Sequence, residues 1–78
     1  MTKLPVVSSD AAIRALRKAG FVYAPRRGKG SHVALYRLED QGRHRLVIVP
    51  KRNEPPRGTL KAILEQAGLT TEAFVALL

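Results

Sequence analysis

Two short alternating runs, separated by four turn-forming residues, restrict what this chain can fold into more than any other feature. Residues 32–38 read His-Val-Ala-Leu-Tyr-Arg-Leu, and residues 43–49 read Arg-His-Arg-Leu-Val-Ile-Val. Successive side chains of an extended strand point to opposite faces. His32, Ala34, Tyr36 and Leu38 then share one face, and Val33, Leu35 and Arg37 share the other. In the second run Leu46 and Ile48 face one way, while Arg45, Val47 and Val49 face the other. Glu39-Asp40-Gln41-Gly42 between them reads as a hairpin turn, with glycine near its end. Pro50 closes the second strand.

The flanking segments complete a mixed architecture. Ser8 or Ser9 suits a helix N-cap, and Asp10 suits the positive end of the helix dipole. Ala12, Ile13, Leu16 and Ala19 follow a 3.6-residue period, and Gly20 stops it, so residues 9–19 are expected as an amphipathic helix. Arg14, Arg17 and Lys18 lie off that stripe, as a solvated face or a second RNA-contacting edge. Residues 21–24 form a short strand ended by Pro25, and residues 26–31 turn into the hairpin. After the polar connection 51–56, a second helix begins near Thr59, with Leu60, Ile63, Leu64 and Ala67 on one stripe and Gly68 at its end. Thr70 or Thr71 caps a last short helix containing Phe74, Leu77 and Leu78. The expected order is α-β-β-β-α-α, an α+β fold with one three-stranded antiparallel sheet and helices packed on one face. The other face and the loops would carry the cations. This layout is similar to the double-stranded-RNA-binding domain, which reads shape, phosphates and 2′-hydroxyls. Residues 1–78 are expected as a single domain.

Composition narrows the function classes. Lys and Arg number 14 against six Asp and Glu, a formal charge of +8, which favours a polyanionic partner such as nucleic acid. The excess is concentrated. Residues 26–57 hold Arg26, Arg27, Lys29, Arg37, Arg43, Arg45, Lys51, Arg52 and Arg57 against Glu39, Asp40 and Glu54. With no cysteine there is no thiolate nucleophile or zinc ribbon, and two dispersed histidines support no metal site or other cofactor. Aromatic residues are 5% of the chain, too few for a rich base-stacking platform. No apolar run suits a membrane span, so a cytoplasmic protein is expected.

The densest chemistry lies in Arg26-Arg27-Gly28-Lys29-Gly30-Ser31-His32. Glycine lets backbone N–H groups approach an anion without a Cβ in the way, and cations beside it favour phosphate. Histidine is the side chain whose ordinary pKa suits proton transfer near neutrality. A P-loop is excluded, because Tyr23 falls where its first glycine belongs and Gly30 where Ser or Thr is required.

Three segments in order carry a family resemblance. They are Gly30-Ser31-His32 entering a strand, Val47-Ile48-Val49-Pro50 ending one, and Gly58-Thr59-Leu60 leading to Ala67-Gly68-Leu69. Together they resemble the HicA toxins, also called the YcfA-like family, over roughly residues 8–76. The resemblance implies a fold similar to the double-stranded-RNA-binding domain and a toxin that cleaves mRNA. It also implies that the histidine of the Gly-Ser-His motif, here His32, is essential, and that a HicB-type antitoxin is the partner. The toxin alone is expected to be monomeric. This chain departs from many relatives after the strand-ending proline, where Lys51 and Arg52 stand in place of a histidine, and in a shorter connection containing Pro55-Pro56.

The expected chemistry follows from the residue types. RNA is cleaved without metal when its own 2′-OH attacks the adjacent phosphorus. That step needs a base, an acid and positive charge on the developing dianion. His32 is the candidate acid or base. Arg26, Arg27, Lys29, Gly30, Ser31, Arg45, Lys51 and Arg52 are the candidate RNA-binding residues. His44 would be a second proton carrier only if its strand brings it near His32. Tyr36, on the face of His32, would stack a base, orient the imidazole or simply pack. A non-catalytic RNA-binding module using the same cations, or a degenerate toxin that keeps only its protein-binding role, are the alternatives.

Overall fold

The computed structural model describes residues 2–24, 30, 32–52 and 55–78. In chain order these form α1 (Ser9–Lys18), β1 (Val22–Tyr23), β2 (His32–Leu38), β3 (His44–Pro50), α2 (Arg57–Ala67) and α3 (Thr71–Leu77). The strands make one antiparallel sheet in the order β1-β2-β3. The fold is α+β, as the alternation and helical periods predict. Boundaries differ by a residue or two, and β1 is two residues long rather than four. None of the described helices is long and apolar enough to cross a membrane.

Register places each side chain. β2 and β3 pair along their whole length, from His32 opposite Pro50 to Leu38 opposite His44. Pro50 is tolerated there because β3 is an edge strand, on which a missing donor need not cost a ladder bond. At the hairpin tip Gln41 (φ 64°) and Gly42 (φ 74°) are both left-handed, as the central residues of a type I′ turn must be.

The core lies on the Leu35, Val47 and Val49 side of the sheet. All three are fully buried against Ala12, Ala15 and Leu16 of α1, Leu60, Ile63 and Ala67 of α2, and Phe74 of α3. Ser8 caps α1 by accepting from the Ala11 N–H at 3.1 Å, and Thr70 caps α3 by accepting from Ala73 at 3.1 Å.

The opposite sheet face corrects one expectation. The sequence predicts cations on it. Its described strand residues are instead Val22, His32, Ala34, Tyr36, Leu38, His44, Leu46 and Ile48, without a Lys or Arg. The reason is register: Arg37 and Arg45 fall on the helix-covered side, directly opposite each other. Such a like-charged pair is unfavourable by itself. Glu39 removes the conflict, accepting from Arg37 at 3.2 Å through each oxygen and from Arg45 Nε at 2.7 Å.

The two guanidiniums then reach the helix ends. Arg37 donates to the Ala19 carbonyl at 2.8 Å, just past α1, and lies 4.6 Å over the Phe21 ring. Arg45 donates to the Gln66 carbonyl in the last turn of α2 at 3.2 Å. Cations at helix C-termini satisfy carbonyls that lack intrahelical partners and meet the negative end of the dipole. Gly68 makes room for this: it is left-handed (φ 70°), and a Cβ there would sit 2.9 Å from Arg45 Cζ.

The hydrogen bonds from Arg37 and then Arg45 hold the Glu39 carboxyl below the usual glutamate range. A folded-state pKa below the unfolded one contributes stability above the unfolded value, about 4.3, and loses it as pH falls through the folded value. Glu39→Gln should therefore lower the melting temperature near neutral pH, and the gap should close on acidification below about pH 4. Melts of both proteins from pH 7 to pH 3 check this; a gap independent of pH would assign Glu39 a role in shape alone.

Candidate functional site

His32 opens β2 and is exposed, at the end of the sheet where β3 closes with Pro50. Two residues before it, Gly30 is left-handed (φ 58°), with open space where a Cβ would stand. Arg26, Arg27, Lys29 and Ser31, expected to hold phosphate, lie outside the described residues. The chain that leaves Pro50 runs through Lys51 and Arg52, both exposed. Register thus brings His32 and these two cations to one end of the molecule.

A buried serine fixes that end. Ser9 is 1% exposed, and its hydroxyl donates to the Pro50 carbonyl at 2.5 Å and accepts from the Arg52 N–H at 2.8 Å. Its own N–H donates to the Arg52 carbonyl at 2.9 Å. The first turn of α1 therefore holds the 50–52 segment opposite His32. Lys51 adds an exposed ion pair to Asp10 at 3.5 Å, an arrangement of small energetic weight. Ser8, Ser9, Asp10, Lys51 and Arg52 line a shallow hollow here.

Ser9, expected only as a possible cap, carries a sequence signal of this role. It lies three residues before Ala12, four before Ile13 and seven before Leu16, so it belongs to the buried stripe. A hydroxyl on such a stripe needs partners.

The other candidates separate from His32. Six strand steps divide His32 from Leu38, the register partner of His44, a distance of ~20 Å along the sheet. His44 is accordingly no partner for His32: the condition for a second proton carrier is not met, and it is an exposed strand histidine. Tyr36 is four steps away, ~13 Å, and its ring lies 5.5 Å from that of His44. It cannot orient the His32 imidazole. Arg45, expected among the RNA-binding cations, is engaged with Glu39 and the end of α2.

The Ser9 bridge generates a stability prediction. Ser9→Ala leaves the Pro50 carbonyl and Arg52 N–H without the hydroxyl, which costs about 1–3 kcal/mol when such groups are buried. Ser8→Ala removes an ordinary cap, costing about 1 kcal/mol. Chemical denaturation should find Ser9→Ala the more damaging of the two; the reverse order would contradict the bridging role.

The family model described as the HicA toxin of bacterial toxin–antitoxin systems matches residues 9–69. No curated protein matches the chain. The matched span contains α1, all three strands and α2, along with His32, the Ser9 bridge and the Arg37–Glu39–Arg45 network. The chain belongs to the HicA toxin family, whose members act in bacterial toxin–antitoxin systems.

Proposed function

We propose that this chain is an endoribonuclease toxin that cleaves mRNA in the cytoplasm without a metal, with His32 as general acid or base. The observation that carries the reading is the placement of an exposed His32 opposite Pro50, where Lys51 and Arg52 begin. In the proposed reaction the RNA 2′-oxygen attacks the adjacent phosphorus. A new O2′–P bond forms and the P–O5′ bond breaks. The 2′-proton goes to a base, and the leaving 5′-oxygen takes one from an acid. The products are a 2′,3′-cyclic phosphate and a 5′-hydroxyl. His32 performs one transfer, and water performs the other, since His44 and Tyr36 are remote.

Arg26, Arg27, Lys29, Lys51 and Arg52 hold the phosphates and offset the transition-state charge, Gly30 admits the RNA backbone closely, and Ser31 offers a hydroxyl to it. Arg45 is left out of this set because its partners are internal. The remoteness of any second imidazole is the one observation that favours the alternative, an RNA-binding module without catalysis.

General acid–base catalysis is typically worth ~10²–10⁴ in rate. His32→Ala should lose cleavage and growth inhibition by about that factor while its thermal melt stays unchanged, because an exposed residue at the head of β2 adds little to the core. RNA cleavage and a melt on the same preparations check both halves. Unchanged cleavage would leave the binding module as the better reading, and loss of folding would make His32 structural.

Membership in a toxin–antitoxin family implies an antitoxin. We propose a HicB-type protein that covers the His32 end, because blocking is simpler than distorting a close-packed core. Hydrogen exchange with and without the partner should show protection at 30–33 and at 51–52, with the β2–β3 ladder unaltered. An RNA affinity that survives complex formation would place inhibition elsewhere.

A further inference from the structure

The exposed side of α1 has no part in the core or in the His32 site. Arg14, Arg17 and Lys18 all lie on it and are exposed. Among the described residues none of them is in an ion pair; Asp10, the acid of this helix, is with Lys51. Beside them Tyr23 is 51% exposed, with the Arg17 guanidinium 5.0 Å over its ring. The three cations share a shallow hollow with Gly20, Phe21 and Val22, which leads onto edge strand β1.

We infer that this α1–β1 edge binds a stretch of single-stranded RNA outside the cleaved bond, with phosphates on Arg14, Arg17 and Lys18 and a base stacked on Tyr23. The inference rests on the ribonuclease reading and extends its substrate contact. Unpaired cations beside an exposed aromatic ring are the two elements of sequence-tolerant single-strand binding: charge tracks the backbone, and a π-face takes any base. Arg17 over the ring fixes its orientation and adds a second planar surface for stacking.

The location suits a path to His32. Tyr23 pairs with Leu35, three steps from His32, so ~10 Å along the sheet separates the two levels. The chain then passes from Ala24 through the basic segment 25–31 to His32. The open sheet face is a poorer RNA surface, since its described strand residues carry no Lys or Arg.

The test uses the full chain and uncleavable 2′-O-methyl RNAs of about four and about sixteen nucleotides, the range of single-strand site sizes. Combined Arg14→Gln, Arg17→Gln and Lys18→Gln should remove roughly tenfold or more of the advantage of the longer strand. It should also flatten the log–log salt slope by about 2, at about 0.7 per phosphate. Tyr23→Ala should weaken the longer strand roughly tenfold, and Tyr23→Phe should restore it. Melts establish that each variant is folded, and the surface substitutions on α1 give the answer even where Tyr23→Ala is not. If the parent chain binds and cleaves RNA while length advantage and slope persist in the triple variant, this inference alone is overturned. If the variants lose only antitoxin binding, the edge is a protein interface and the inference is wrong. If the parent chain neither binds nor cleaves RNA, the ribonuclease reading falls and this inference with it.

Discussion

The β2–β3 pairing is the constraint on which the other features depend. Its register decides that Leu35, Val47 and Val49 enter the core, and it sets His32 against Pro50. A slip of one residue would turn every side chain of the strand to the opposite face. Leu35 would leave the core, and His32 would lose its place opposite the cationic segment. The left-handed tip at Gln41 and Gly42 and the arginine pair bridged by Glu39 both hold this register from the hairpin end. Ser9 holds it from the other.

Charge is sorted by that same register. Arg37 and Arg45 could have served as anion contacts by composition, but their positions on the helix-covered side give them the carbonyls at the ends of α1 and α2. They join sheet to helices. Lys51 and Arg52 lie beyond the last strand pair and remain exposed, as do Arg14, Arg17 and Lys18 on α1. Among the described residues the cations therefore divide into those that fasten the fold and those that face outward. The sheet face opposite the core, with Tyr36, Leu38 and Leu46, is a different kind of surface, nearly free of charge.

Much of this was legible in the chain. The alternation of residues 32–38 and 43–49 was enough to find the hairpin and to sort its residues into two faces, but not to say which face is the core, because Leu46 and Ile48 repeat at the same strand period as Val47 and Val49. The stripe Leu60, Ile63, Leu64 and Ala67 likewise identified the packed side of α2. The exposed His32 at the head of a strand was also readable from its motif. What escaped was pairing between distant segments. Nothing local says that Arg45 meets Glu39 and Gln66, or that Ser9 meets residues 50–52, more than forty positions away. The role of His44 depended on which end of the hairpin it occupied, and an antiparallel turn puts it at the end away from His32.

The central claim is that the substrate supplies its own nucleophile while His32 moves a proton. The most direct measurement compares two strands of one sequence in the presence of a chelator: one all-ribonucleotide, the other with a single 2′-deoxynucleotide at the cleaved position. The account predicts that the first is cut, leaving a 2′,3′-cyclic phosphate and a 5′-hydroxyl, and that the second stays intact there. Cleavage at the deoxynucleotide, or no cleavage of the ribonucleotide strand until a divalent metal is added, would contradict it.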